Sequence, residues 1–296
     1  MSEKTLLPIR LAGVPEPFNL PFMLGLERRA FVRAGLEVKW RTVPQGTGEM
    51  CRLLRGGEVD MAILVTEGAV RDIANGSPVR ILGPLVDTPL TWGVHVGLWP
   101  GLDASDDLKG VPYAVSRLNS GSHLMAMVHA RRNGWAPEPK DLIIVNDLKG
   151  AVERLGSKEP AVFLWEKYMT AALVRDGRLR RVGEFNPGWP AFVVVVRDAF
   201  LAEHPTGVDL LLRVFRDQAR GLMQKKSAPE MIAQRYGMGL EDATTWFGEV
   251  KWNVDGAMDA GIIQRVGEVL HGVGLLDSTI TAEAVAGMRA QLRPTK

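Results

Sequence analysis

Short apolar runs alternate along the chain with stretches in which apolar positions recur every three or four residues. The first pattern predicts buried strands and the second amphipathic helices, and their alternation predicts an α/β fold. Strands are expected at Pro8–Ala12, Leu36–Val43, Met61–Val65, Val79–Leu85 and Leu90–Val96. Further ones are expected at Pro112–Val115, Leu142–Asn146, Ala161–Leu164, from Arg180 to Gly183, and over residues 188–196. Helical periodicity fills Pro21–Ala34, Gly48–Arg55, Glu67–Asn75, Ser122–Asn133, Gly150–Leu155 and Glu166–Arg175. Gly35, Gly76 and Gly134 stand just past three of these, where a helix ends in a left-handed residue. Beyond Arg197 the pattern is mainly helical, at Ala199–His204, Thr206–Lys226, Pro229–Tyr236, Leu240–Glu249, Asp255–Val273 and Asp277–Leu292.

A Gly-, Pro- and Asp-rich linker from Gly97 to Gly110 interrupts the pattern, which then restarts. The expected architecture is two similar Rossmann-like α/β lobes joined by two hinge crossings, near residues 90–96 and 188–195. Residues 1–92 and 193–296 would form a discontinuous lobe one, with the helical C-terminal part packed on it. Residues 93–192 would form lobe two. Each half carries a glycine loop that opens a helix: Gly46-Thr47-Gly48 in the first, and Ser120-Gly121-Ser122 in the second. Helix N-termini present unpaired N–H groups and the positive end of a dipole, a ready site for a polar ligand. Loops at the carboxyl ends of neighbouring strands share one crevice.

The bulk properties narrow the choice. The 296 residues suffice for two lobes, and net charge is only +2, with basic residues scattered. That disfavours nucleic acid. The single cysteine, Cys51, allows no internal disulfide and no cysteine-based zinc site. The five histidines show no metal-ligand spacing, and no cofactor fingerprint appears, so neither metal nor cofactor is expected. No stretch approaches a membrane span. The first residues lack a signal-peptide pattern, so the sequence as it stands reads as cytoplasmic, or periplasmic if a leader was removed.

The run from Ile9 to Trp92 resembles the substrate-binding proteins for nitrate, alkanesulfonates and thiamine precursors, which have the periplasmic-binding-protein-like type II fold. The resemblance rests on Gly35–Val38, the Gly-Thr-Gly loop, Gly57-Glu58-Val59-Asp60, Ala74–Gly76 and Asp107–Gly110. Residues 14–18 (VPEPF), 66–68 (TEG), 116–122 (SRLNSGS), 163–166 (FLWE) and 187–190 (PGWP) look closer to a bacterial and fungal subgroup that typically lacks an export signal. The resemblance implies a small-molecule ligand held between lobes that close by hinge bending. It admits an ABC transporter permease as a second partner. The ligand it implies is a small anionic or zwitterionic organic molecule: a sulfonate, a carboxylate or a pyrimidine-like compound. The alternative is a cytosolic enzyme on the same fold, of thiamine- or menaquinone-pathway type, with a cleft glutamate as general base. Enzymatic relatives carry a cysteine-rich motif or a nucleophilic cysteine. The first is absent here, and Cys51 falls inside an expected helix.

The candidate ligand-binding residues are Glu16, Phe18, Gly46, Thr47, Gly48, Thr66, Glu67, Trp92, Arg117, Ser120, Gly121, Ser122, Trp165, Glu166 and Trp189. Arg117 suits bidentate recognition of a carboxylate or sulfonate, or serves as an ordinary surface arginine. Glu67 and Glu166 each follow an apolar strand. Either can meet a ligand amine, and Glu67 can also pair with Arg117 across a closed cleft; the plainer role is a first-turn glutamate. Phe18, Trp92, Trp165 and Trp189 are candidate apolar walls, though tryptophans more often fill cores.

Overall fold

The structure, a computed structural model, describes residues 5–256, 259–278 and 280. Its strands are β1 (Leu7–Gly13), β2 (Leu36–Thr42), β3 (Met61–Val65), β4 (Val79–Pro84), β5 (Trp92–Val96), β6 (Tyr113–Val115), β7 (Leu142–Ile144), β8 (Val162–Glu166), β9 (Arg180–Phe185) and β10 (Phe192–Arg197). They form two five-stranded sheets, ordered β2-β1-β3-β10-β4 and β7-β6-β8-β5-β9. The two orders are equivalent. Each has three parallel strands, then an antiparallel strand, then an edge strand, and the antiparallel strand directly follows a crossing: β5 the first, β10 the second. Both antiparallel strands carry a register irregularity at the same place, between Val94 and His95 in β5 and between Val194 and Val195 in β10. β3 and β5 are buried along their whole length, as continuous apolar runs covered on both faces require.

The chain passes between the sheets twice, after β4 and after β9. The crossings are tied to each other: Ala191 N–H donates to the Thr88 carbonyl at 3.0 Å, and Pro89 lies in an antiparallel bridge with Pro190. This two-strand connection is the hinge expected from the restart of the pattern.

The helices are α1 (Leu20–Glu27), α2 (Ala30–Arg33), α3 (Thr47–Arg55), α4 (Thr66–Ala74), α5 (Gly121–Arg132), α6 (Leu148–Leu155), α7 (Ala171–Arg175), α8 (Asp198–Glu203), α9 (Pro205–Met223), α10 (Ala228–Tyr236), α11 (Leu240–Glu249) and α12 (Ala260–Gly272). The expected single helix over Pro21–Ala34 is broken at Arg29, whose φ of 52° is left-handed. The break brings Phe31 back against Gly25, where a Cβ would stand 2.5 Å from the ring. Glu166 does not open a helix, as the periodicity predicts. It ends β8 in register with Trp92, and α7 begins only at Ala171.

The C-terminal helices do more than pack on lobe one. α9 lies on α1 and α2, but α12 touches both α4 of the first lobe and α5 of the second. Asp242 of α11 also pairs with Arg175 of α7. The expected last helix, Asp277–Leu292, falls largely outside the described residues.

Candidate functional site

The carboxyl ends of β1 and β3 on one side, and of β6 and β8 on the other, point at a common gap. Pro44, Gln45, Gly46 and Thr47 approach it from lobe one; Ser116, Ser120, Gly121 and Ser122 approach it from lobe two. Gly46 has φ of 79°, a conformation glycine adopts without strain, and this lets the chain turn directly into α3. Ser120 caps α5, its Oγ accepting from His123 N–H at 3.3 Å. The two expected jaws therefore face each other across one partly open cavity of about 170 Å³.

Its walls are Trp92, Trp165, Phe192, Leu90, Val14, Val65, Leu148 and Met169, with Glu16 from lobe one and Glu166 from lobe two. Among the described residues lining it there is no lysine, arginine or histidine. Glu16 follows Pro15 and precedes Pro17, and the two rings fix its loop. Its Oε2 is sealed from solvent and has no hydrogen-bond partner among the described residues. Burial pushes its carboxyl up to about 7. Glu166 Oε2 accepts from Met169 N–H at 2.7 Å. Burial first, and the Glu16 charge second, push it up to about 8. The Trp92 indole N–H also lacks a partner among the described residues.

The serines hold one another. Ser122 Oγ lies 3.1 Å from Ser116 Oγ and 3.0 Å from Ser120 Oγ, and it accepts from Ser116 N–H at 2.9 Å. Their hydroxyls set the loop's shape at the start of α5, where Ser120, Gly121 and Ser122 line the cavity. Thr47 Oγ1 is likewise spent internally, accepting from Val65 N–H at 3.2 Å.

Other expected residues lie elsewhere. Gly48 and Arg117 line an outer, more open pocket of about 460 Å³, together with Arg52, Arg55 and Arg71. Arg117 does not pair with Glu67; its guanidinium donates to the Gln45 carbonyl of lobe one and to the Asn146 carbonyl at 3.4 Å. It is thus a tie between lobes outside the inner cavity. Glu67 is buried and accepts from Trp189 Nε1–H at 3.0 Å; burial pushes it up to about 7. Thr66 Oγ1 donates to the Pro190 carbonyl, and Thr66 N–H to the Ala191 carbonyl at 3.1 Å. Thr66, Glu67 and Trp189 therefore anchor the second crossing to lobe one and do not line the cavity. Phe18 is core: its ring centroid stands 4.9 Å from Phe192 and 5.0 Å from Trp246. It reaches the cavity only by backing Phe192.

Sequence reasoning missed Val14, Val65, Leu90, Leu148, Met169 and Phe192 as lining residues. Of these only Phe192, the aromatic opening the run FVVVV, carries a local signal. Cys51 is buried in α3 and its thiol is pushed up by burial, so it does not suit a nucleophile's role. Among the described residues no cluster could hold a metal ion, and no helix is long and apolar enough to cross a membrane.

Residues 92–185 match the profile of the family described as Ca3427-like PBP. The Candida albicans CA3427 gene product, said to define a new family with the generic periplasmic binding protein fold, superposes with a TM-score of 0.87 at 22% identity. The match covers 96% of this chain and 94% of that one. The alkanesulfonate-binding protein SsuA from Xanthomonas axonopodis pv. citri, bound to MOPS, gives 0.75 at 15% identity, covering 95% and 97%. The nitrate-binding protein NrtA from Synechocystis PCC 6803 gives 0.75 at 16% identity, covering 96% and 86%. No curated protein sequence matches the chain. The chain thus has the periplasmic-binding-protein-like type II fold, and its stretch from Trp92 to Phe185 matches the model of the Ca3427-like family.

Proposed function

We propose that the protein is a solute-binding protein that captures one small zwitterionic or pyrimidine-like organic molecule by closing its lobes over the cavity. The observation that carries this reading is the cavity itself, walled by both lobes and placed beside a two-strand hinge. Its contents fit a ligand with mixed character. Amides at two helix N-termini suit acceptor atoms, carboxyl groups suit donors, and the tryptophans suit a flat apolar body. A bare anion such as nitrate or a sulfonate would face two carboxyl groups and no cationic side chain. The volume, well below the ~300–1,000 Å³ of drug-sized pockets, suits a single ring. The import systems in which such folds serve make a membrane permease part of this reading.

Thermal shift and titration calorimetry against nitrate, alkanesulfonates, carboxylates and pyrimidines test it. At least one compound should bind with micromolar affinity and compact the protein in small-angle scattering. Absence of any shift across the four classes would refute capture of this kind of solute.

One observation favours a second reading, an enzyme on the same fold. A carboxyl held near 7, as Glu16 is, suits a general base at neutral pH. Mass spectrometry of a bound compound after prolonged incubation separates the two, since a binding protein returns it unchanged.

A further inference from the structure

The cavity is lined by two kinds of polar group that no side chain answers, and they come from different parts of the fold. One kind is carboxyl: Glu16 on the loop after β1 and Glu166 at the end of β8, one from each lobe. Glu16 Oε2 has no partner among the described residues. The nearest cation in sequence, Lys167, is engaged elsewhere. Its Nζ lies 3.1 Å from a Glu184 carboxylate oxygen and 5.1 Å from the Tyr168 ring centroid. The other kind is a donor. Trp92 is 5% exposed, lines the cavity, and its indole N–H has no acceptor among the described residues.

Charge bookkeeping sets the sign of what is missing. The N-termini of α3 and α5 contribute roughly half a positive charge each. Two ionised carboxylates exceed that by about one negative charge. A single positive charge on the ligand restores balance, and a buried charge left unpaired is costly. Flat geometry follows from the walls. Trp92, Trp165 and Phe192 line the cavity, and a planar nitrogen cation packs against aromatic side chains with a gain beyond area burial. The Trp92 indole N–H, unpaired among the described residues, suits one acceptor atom on the same ligand.

We infer that the cavity's ligand is a small planar organic monocation of amidinium type, its N–H groups shared between Glu16 and Glu166 and one heteroatom accepting from Trp92. This rests on the solute-capture reading and gives the ligand's charge. Closure would then be driven by the ligand: without a cation, shutting the lobes brings two carboxyl groups together, and with one it makes a pair of charge-assisted hydrogen bonds. The raised proton affinity of both carboxyls, set by burial, agrees with this, since a bound proton and a cation offset the same negative charge.

Titration calorimetry with the full chain at pH 7.5 tests the inference. The probes are benzamidine and pyridine-2-carboxamidine, set against benzamide, benzoate and benzenesulfonate. Both amidines should bind, the pyridine compound more tightly, and the neutral and anionic analogues at least tenfold more weakly. Glu16→Gln and Glu166→Gln should each weaken amidine binding at least tenfold while keeping a cooperative thermal transition. Trp92→Phe should remove the advantage of the ring nitrogen. If benzoate or benzenesulfonate binds with lobe compaction and the amidines do not, the charge assignment is wrong and solute capture stands. If no probe of either sign binds, the charge assignment fails, and solute capture is decided by the four-class panel alone. Amidine binding that is indifferent to both glutamine substitutions would also overturn the assignment.

Discussion

Replacing Glu166 by glutamine should stabilise the empty protein, and only at neutral and alkaline pH. Glu166 is 5% exposed, and burial together with the Glu16 charge raises its carboxyl from 4.5 to about 8. The folded state therefore holds a proton that the unfolded chain releases between pH 4.5 and 8. Stability must fall as pH rises through that window and level off above it. At ~1.4 kcal/mol per pH unit, the full rise corresponds to ~5 kcal/mol. Opening of the lobes rehydrates the carboxylate without unfolding, which caps the loss, and we expect about 2 kcal/mol. Glutamine keeps the acceptor for Met169 N–H and carries no charge. The two proteins should melt together at pH 5, and the variant should melt about 4 °C higher at pH 8.5. Scanning calorimetry at steps between these limits measures the difference curve. His95 and His129, which burial holds near 4, destabilise the fold on the acid side but are common to both proteins and cancel in the difference. A difference independent of pH, or one favouring the wild type at pH 8.5, would refute the claim that Glu166 is buried without a compensating cation.

Three further outcomes follow from the geometry. Gly121→Val places a Cβ 3.3 Å from Trp92 Cη2 and projects methyl groups into the cavity; ligand binding should vanish by calorimetry, while unfolding free energy falls by only ~1–2 kcal/mol. Trp189→Phe leaves Glu67 Oε2 buried without the donor now at 3.0 Å, and urea denaturation should show a loss of ~1–3 kcal/mol. Arg117→Ala removes the tie to the Gln45 carbonyl. At ~1 kcal/mol for a partly exposed contact, ligand should leave about fivefold faster in stopped-flow fluorescence, with the association rate little changed.

The strands were legible because each is a short apolar run bounded by glycine, proline or acidic residues. Met61–Val65 is assigned identically from sequence and structure, and the doubling of the pattern predicts the two sheets. The break at Arg29 was not legible, because a left-handed arginine leaves the apolar periodicity on either side intact. The glycine and serine jaws were legible for a local reason: a loop that opens a helix is visible in a few residues. Which side chains enter the cavity is a matter of long-range register. Arg117 and Ser120 are three residues apart, yet the arginine reaches out of the cleft to Gln45 while the serine stays inside. Trp189 looked like a wall and instead holds Glu67 across a separation of 122 residues, which no local pattern encodes.

The way the first sheet takes β10 from beyond the second crossing has a consequence for synthesis. All five strands of the second sheet lie between Trp92 and Phe185, so that sheet can be complete as soon as Phe185 has left the ribosome. The first sheet cannot. Its β3 and β4 are separated by a slot one strand wide, which stays vacant until β10, Phe192–Arg197, is made. The half translated first is therefore finished last, against the usual N-terminal-first order of folding. Until then two apolar strand edges wait for a partner. The nascent chain is most exposed to mispairing in the interval when the inserted lobe is already built and its host is still open.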